Sequence, residues 1–342
     1  MVESKPISIG NIAYVLGMSS KKLHRWYQQV LSGFTQAKQQ GEISKNDLEV
    51  KEQGEKKIIK VPILEEKNLG KQMAIDEKQI NGTVYTILSN RKTNKIALMA
   101  STLKTKYLMK LLSNFSIEKR MEVESLTRDM ASNYDWLGRQ AFMNAYHVID
   151  KFHIIKNVME QLQSVRIRYR QEALAKRREI KETKQKHKEQ IFANGDTTLQ
   201  LLARSRGLLF SMPNKWSEQQ KERAEILFKN YPELKQAYRL ILKFRRWFTP
   251  PKGKTTYSKT REKKKEKLIE IISQLKQSGI EEMKNIAYLL HKNLPQVLYY
   301  FIEKETNAKA EALNQNLQRF INVNFGTRNI DFFLYRIKLY FA

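Results

Sequence analysis

The spacing of apolar residues changes period twice along the chain. Over 7–34 it is helical: Ile9, Ile12, Ala13 and Leu16 share one face, and Leu23, Trp26, Tyr27 and Leu31 continue it. Gly17-Met18-Ser19 lies between, glycine supplying a positive φ and serine an N-cap. This predicts two helices joined by a tight turn, with Lys21, Lys22, His24 and Arg25 pointing outward from the second. A helix-turn-helix that reads DNA has this form, and so does a plain helical hairpin with solvated basic residues. The stretch 35–70 is polar except for an apolar run at 58–64, and reads as a linker with one short strand. From 72 to 101 the period falls to two. The run 72–80 meets 83–89 across Asn81-Gly82, a strong hairpin signal, and a turn at 91–94 leads to a third strand over 95–100. Asp76 sits inside the first strand, where aspartate is depleted. It is either a solvent-facing position on a half-exposed sheet or a functional one.

A helix at 104–114, a strand at 121–127 leading to Asp129, a helix at 133–142 and a strand at 145–149 leading to Asp150 complete this part. The order β-β-β-α-β-α-β is that of a ribonuclease-H-like α/β fold, an antiparallel meander extended by parallel strands through helical crossovers. In that arrangement the first and fourth strands are neighbours, and Asp76 and Asp129 face each other. Asp135 is a rival for Asp129, but it falls inside the predicted helix. From 152 onward the period is helical again. The stretch 152–191 carries Arg166, Arg170, Arg177 and Arg178, and reads equally as a solvated surface helix or a track along a DNA backbone. Ser217 with Gln220 forms a capping box, Pro232 opens a helix to 248, and further helices cover 259–278 and 280–303, the latter kinked near Pro295. Asn307 is a candidate N-cap for a last pair of helices, with Gly326 between them. Gly253-Lys254-Thr255 lacks the leading glycine spacing of a P-loop and has no strand before it. The expected division is a helix-turn-helix segment 1–40, a linker 41–70, a catalytic core 71–156, an all-α insertion 157–303 and closing helices of the core 304–342.

Charge sharpens this picture. Sixty-three Lys and Arg against 35 Asp and Glu leave a net +28 over 342 residues. An excess of that size points to a polyanionic partner, with double-stranded DNA the expected one. The absence of cysteine excludes disulfides, Cys-ligated zinc and thiol catalysis. No apolar h-region follows Met1, and the apolar run 286–302 is broken by His291, Lys292, Asn293 and Pro295, so no membrane partner is expected. The expected location is cytoplasmic, at the nucleoid. In so basic a chain, carboxylates at strand ends need a reason. Two on neighbouring strands and a third on a facing helix can hold two divalent cations for phosphodiester chemistry. Mg²⁺ or Mn²⁺ takes oxygen ligands, which is why carboxylates suit the task.

Asp150-Lys151-Phe152-His153-Ile154-Ile155-Lys156 resembles the Asp-Arg-Phe-His-Val-Val-Lys signature of the ISL3 family of insertion-sequence transposases. Asp129-Met130-Ala131-Ser132-Asn133-Tyr134 resembles that family's Asp-Met-Ser-x-x-Tyr. Ala74-Ile75-Asp76-Glu77 resembles its first-aspartate strand, 206–248 its helical insertion, and Thr306-Asn307 through Glu311, Asn314 and Arg319 its closing segment. The resemblance implies a catalytic, metal-binding triad at Asp76, Asp129 and Glu311, with two Mg²⁺ or Mn²⁺ ions. Asp150, His153 and Asn314 become ancillary signature residues. It also implies a homodimer on DNA that pairs two element ends. The chain departs from the family pattern in lacking a Cys-rich zinc segment, in Lys151 for Arg, and in Ala312 for the glycine after the glutamate. By themselves, Glu311 also reads as an acid favoured at a helix N-terminus, Asp150 as a helix cap and His153 as a core histidine. The expected function is strand cleavage and strand transfer at element ends. The rival readings are a non-catalytic DNA-binding derivative and a metal-dependent nuclease.

Overall fold

The computed structural model describes residues 7–130, 132–183, 190–248, 257–301, 308–324 and 329–342; at 132, 257–261, 308–312 and 314 it describes the backbone alone. The chain divides into two units, Met1–Asp150 with Glu305–Ala342, and Lys151–Lys304.

The first unit begins with α1 (Ile9–Val15), α2 (Ser20–Trp26), one π-turn (Tyr27–Leu31) and α3 (Phe34–Gln39). Strands β1 (Leu48–Glu52), β2 (Glu55–Ile59), β3 (Ile63–Leu64), β4 (Gln72–Ile80), β5 (Thr83–Asn90) and β6 (Lys95–Ala100) follow. Then come α4 (Thr105–Leu112), α5 (Ile117–Met121), β7 (Ser125–Arg128), α6 (Ser132–Ala141) and β8 (Tyr146–Ile149). The second unit holds α7 (Lys151–Glu182), α8 (Thr198–Phe210), α9 (Glu218–Asn230), α10 (Pro232–Trp247), α11 (Tyr257–Gln277), α12 (Glu281–Lys292) and α13 (Leu294–Tyr299). The chain then returns to the first unit with α14 (Ala308–Val323) and α15 (Ile330–Phe341).

Strands β3-β6-β5-β4-β7-β8, in that spatial order, form one mixed sheet. The β4–β5 turn sits at Asn81 (φ 47°) and Gly82 (φ 83°), the two left-handed positions a twist-matched hairpin turn requires. On the other side of β4, β7 and β8 run parallel to it. The two faces of β4 diverge by alternation. Met73 and Ile75 join Leu108, Leu111, Tyr134 and Leu137 in a core under α4 and α6. Ile80, with Ile87 and Met99 of the neighbouring strands, joins Leu313, Leu317, Phe333 and Ile337 under α14 and α15.

Three local readings change. The strand expected at 121–127 starts only at Ser125, because 117–121 closes into a helical turn, with Lys119 ion-paired to Glu122 beside it at 2.9 Å. The stretch 41–70 is more than a linker with one strand. Gln53 (φ 51°) and Gly54 (φ 89°) turn β1 into β2, and β3 pairs with β6. Ile59, Val61 and Ile63, the apolar run seen in sequence, are buried in the two cores. In the N-terminal helices the apolar stripe is narrower than expected. Ile9, Ala13, Leu23, Tyr27 and Phe34 close around Phe332 of α15, while Leu16, Trp26 and Leu31 stay exposed.

The second unit is helical throughout its described secondary structure apart from an isolated bridge between Ile191 and Thr197. Capping boxes start α8 (Thr197 with Gln200) and α9 (Ser217 with Gln220). Pro295 ends up in the first turn of α13, where its missing N–H does no harm, and the expected kink becomes a break at Asn293. Arg168 ties α7 to Glu233 of α10 at 2.5 Å and to Glu282 of α12 at 3.1 Å. At the end of α10, Lys151 and Lys264 donate to the carbonyls of Phe248 and Trp247 and lie over the surrounding rings. Cations belong at a helix C-terminus, so these lysines have a structural account.

Phe332 is fully buried and is the residue of α15 around which α1–α3 close. Phe332→Ala is expected to cost roughly 3–5 kcal/mol, read as a lowered urea midpoint. It should also open 1–40 to limited proteolysis. An unchanged cleavage pattern would show that these helices hold together without it.

Candidate active site

The site is built by strand register. In the parallel ladder, Gln72 pairs with Ser125, Met73 with Leu126 and Ala74 with Thr127. Two residues further along each chain stand Asp76 and Asp129, at matching positions. The β7–β8 ladder ends with Arg128 opposite Ile149, and the amide of Asp150 donates to the Arg128 carbonyl at 3.0 Å. Asp150 is therefore next in the same row. Neighbouring strands lie about 4.8 Å apart, so register alone brings the acids close.

The faces follow from the same alternation. Asp76 pairs across the hairpin with Ile87, which belongs to the core under α14 and α15. Leu126 and its partner Met73 belong to the opposite core, so Thr127 takes the face of Asp76, and Asp129 follows just past the end of β7, where its charge also bears on Tyr134. Asp76 is half-buried, and its Oδ1 accepts from the Glu77 amide at 2.8 Å. Glu77 looks the other way and accepts from the Tyr134 hydroxyl at 2.8 Å. Burial, reinforced by this carboxylate, pushes the Tyr134 phenol up.

Glu311 lies in α14, two residues before Leu313, which packs on the Asp76 face of the sheet. Its side chain, like that of Asn314, is outside the described residues, as are Thr306 and the N-cap candidate Asn307. Among the described residues no group of three or more His, Cys, Asp or Glu side chains is placed to hold a metal ion. His153, in the second unit, is half-buried with its ring edge-on to Phe152.

A cluster next to Asp129 escaped the sequence reading. Arg128, its side chain 2% exposed, donates from one NH group to the Asp129 carbonyl at 2.9 Å and from the other to Asp135 Oδ1 at 2.5 Å. Asp135 also accepts from Arg139 Nε at 2.9 Å and faces His147 Nδ1 at 3.1 Å. Burial alone would raise the Asp135 carboxyl; the Arg139 hydrogen bond, the Arg128 charge and His147 outweigh it and hold it down at about 2. Burial lowers His147, which keeps the imidazole neutral. A neutral ring that donates from Nδ1 leaves Nε2 without a proton. That suits its position, since buried Nε2 has no hydrogen-bond partner among the described residues. One signal was available in sequence: an arginine closing a short strand, seven residues before an aspartate.

Of the expected DNA contacts, Lys21, Lys22 and Arg25 are exposed and line an open cleft with Met18, Ser19, Trp26 and Gln29. His24 does not point outward. It is half-buried edge-on to Phe332 at 6.0 Å, and burial, then the Arg336 charge, lowers its imidazole. The helical turn that puts Leu23 and Tyr27 into the core carries His24 with them. Arg166 is also corrected. It is buried, and gives its donors to Gln163 Oε1 at 2.7 Å and the Leu202 carbonyl at 2.9 Å. Arg170, Arg177 and Arg178 are exposed on α7.

A row of acids ending parallel strands, in a chain this basic, marks a protein that handles a polyanion. A family model described as a transposase, of the ISL3 type, matches residues 73–337, and the chain belongs to the ISL3 transposase family. That span takes in Asp76, Asp129, Asp150, His153, Glu311 and the whole second unit, and leaves α1–α3 outside. No curated protein matches the chain. Membership carries a role in DNA transposition, with DNA as partner. Among the described residues no helix is long and apolar enough to cross a membrane.

The Asp135 carboxyl titrates near 3.8 when unfolded and about 2 when folded. A depressed folded value contributes stability that is complete above the unfolded pKa and is lost as pH falls through the folded one. His147, lowered from 6.5, has the same sign, since its neutral form is favoured by the fold. The melting temperature should therefore decline on acidification, and Asp135→Asn should flatten the part between pH 3.8 and about 2. Circular-dichroism melts across that range check it; parallel curves for variant and wild type would contradict it.

Proposed function

We propose that this chain is a metal-dependent transposase of the Asp-Asp-Glu type, with Asp76, Asp129 and Glu311 as its acids on a ribonuclease-H-like sheet. The observation that supports the reading is the parallel register of β4 and β7, which sets Asp76 and, just past the end of β7, Asp129 each two residues beyond the pair Ala74–Thr127. The donor set fits a hard divalent cation: both side chains offer carboxylate oxygens, with no sulfur in the chain outside methionine. Bound Mg²⁺ or Mn²⁺ would supply the charge that activates a nucleophile and stabilises a leaving oxygen. Asp76 and Asp129 would hold it from the sheet and Glu311 from α14. The exposed cations Lys21, Lys22 and Arg25 would hold the duplex near α2, with α1 and α2 acting as a helix-turn-helix, and Arg170, Arg177 and Arg178 would track its backbone.

The chemistry is two in-line displacements. Water attacks phosphorus at the element end, the P–O3′ bond breaks, and a 3′-hydroxyl is released. That hydroxyl attacks phosphorus in target DNA, displacing a second 3′-oxygen, which takes up a proton. Pairing two ends calls for two copies of the chain on the DNA.

A cleavage and strand-transfer assay on duplexes carrying the element ends, with Mg²⁺, tests the reading. Asp76→Asn, Asp129→Asn and Glu311→Gln should each lower the rate at least about a hundredfold, since even outer-shell partners of a metal are worth tenfold to a hundredfold. DNA binding should survive in all three. Full activity in the Asp129 and Glu311 variants would remove the site assignment. Tight binding without cleavage by wild type would favour the DNA-binding reading, and cleavage without joining the nuclease.

Binding itself gives a separate prediction. Replacing Lys21, Lys22 and Arg25 together with alanine should weaken duplex binding and flatten its dependence on salt, by up to about 0.9 in the log–log slope per lost phosphate contact. Fluorescence anisotropy from low to moderate salt reads this. An unchanged slope would take α2 out of the DNA contact.

A further inference from the structure

We propose that Arg128 is a positioning residue, which sets the direction of the Asp129 carboxylate through a brace completed by Asp135 and His147. The inference rests on the reading of Asp129 as a metal-holding acid, and asks what keeps that acid aimed.

Arg128 stands with Leu126 on the α6 side of the sheet, where it meets Asp135, and Asp129 follows past the end of β7. The guanidinium nevertheless reaches back to the Asp129 carbonyl at 2.9 Å, so it grips the peptide that leaves the strand. Fixing that peptide plane fixes the Cα–Cβ direction of Asp129 at the point where the ladder ends. The other end of the guanidinium is anchored on Asp135 of α6 at 2.5 Å, and Asp135 faces His147 of β8 at 3.1 Å. The brace thus ties the end of β7 to the next helix and the next strand.

Close helix approach makes this possible. A Cβ at Gly138 would lie 2.6 Å from Leu126 and 2.7 Å from the His147 ring. Glycine there lets α6 settle against β7 and β8, which brings Asp135, nearly one turn earlier, over Arg128 and His147.

Neither DNA binding nor core packing accounts for Arg128. A DNA-contacting arginine would be exposed, and this one is 2% exposed. An aliphatic residue would fill an inward strand position without the desolvation of a charge. Replacing both members of a buried ion pair by apolar residues is often no loss to stability, whereas removing one leaves the other uncompensated. What such a residue cannot supply is the bond to the Asp129 carbonyl.

That difference is the test. Arg128→Met, Asp129→Asn and the double variant are compared with wild type by thermal melting, by Mn²⁺ affinity from the electron paramagnetic resonance of free Mn²⁺, and by steady-state strand transfer. Arg128→Met should melt below wild type, since it takes one partner from Asp135, and, measured where it is folded, should bind Mn²⁺ about 10–100-fold more weakly, as loss of an outer-shell partner does. Its kcat should fall with KM for DNA unchanged. In the Asp129→Asn background it should add nothing further, because the group it aims is gone. Arg128→Met with wild-type Mn²⁺ affinity, while Asp129→Asn has lost it, would overturn the positioning role alone. Unchanged affinity in Asp129→Asn would overturn the metal reading and this inference with it. Should Arg128→Met not fold, Asp135→Asn samples the brace from its other end. A folded Asp135→Asn with weakened Mn²⁺ binding supports the role, and one that is unfolded, or folded with full affinity, overturns it.

Discussion

Three residue pairs between β4 and β7 decide what the first unit can do. An antiparallel meander by itself is a sheet with two edges. Pairing β7 in parallel alongside β4 turns one edge into an interior position and makes a strand from the start of the unit the neighbour of one more than forty residues later. Parallel pairing needs a long crossover, here β5, β6, α4 and α5, so it is a tertiary commitment rather than a local one. Everything at the site inherits its geometry. Shift the ladder by one residue and Arg128, now bound to Asp135 of α6, would face α14. Alternation makes register and face the same variable.

The two sides of the sheet divide the work. On the α4 and α6 side, polar groups bind one another: Tyr134 with Glu77 and Thr86, Asp135 with Arg128, Arg139 and His147, whose Nε2 has no partner among the described residues. On the other side stands Asp76, under helices that reach the sheet only after the second unit has been traversed. On the proposed reading, one face is a frame for the chemistry of the other, as a site held on rigid elements requires.

Much of this was legible because it is short-range. Asn81-Gly82 announced the β4–β5 hairpin through the φ values only those residues take easily, and the same chemistry at Gln53-Gly54 went unread because its flanking strands are charged. Asp76 stood out as an acid in a strand. The capping box at Ser217 was a local hydrogen-bond pattern and needed no tertiary knowledge. What sequence did not disclose depends on partners far along the chain. His24 and Lys22 look alike on a helical wheel until Phe332 arrives to cover one of them. Arg166 and Arg170 are equally basic, but only one meets the Leu202 carbonyl. Arg128 read as the polar end of a strand, since nothing in 125–128 hints that Asp135 will be folded over it. The strand expected at 121–127 begins only at Ser125, since the helical turn 117–121 runs into its expected start.

The cluster around Phe332 has a consequence for how the molecule is made. Helices α1–α3 emerge from the ribosome long before the ring they close around. While the chain is being synthesised, the exposed cations of α2 therefore sit on helices that lack the centre of their core. The N-terminal helices can reach their finished form only on a chain whose α15 has been made, and so whose sheet, second unit and α14 have already been translated. An incomplete copy would carry the same positive charge without the same surface to present it.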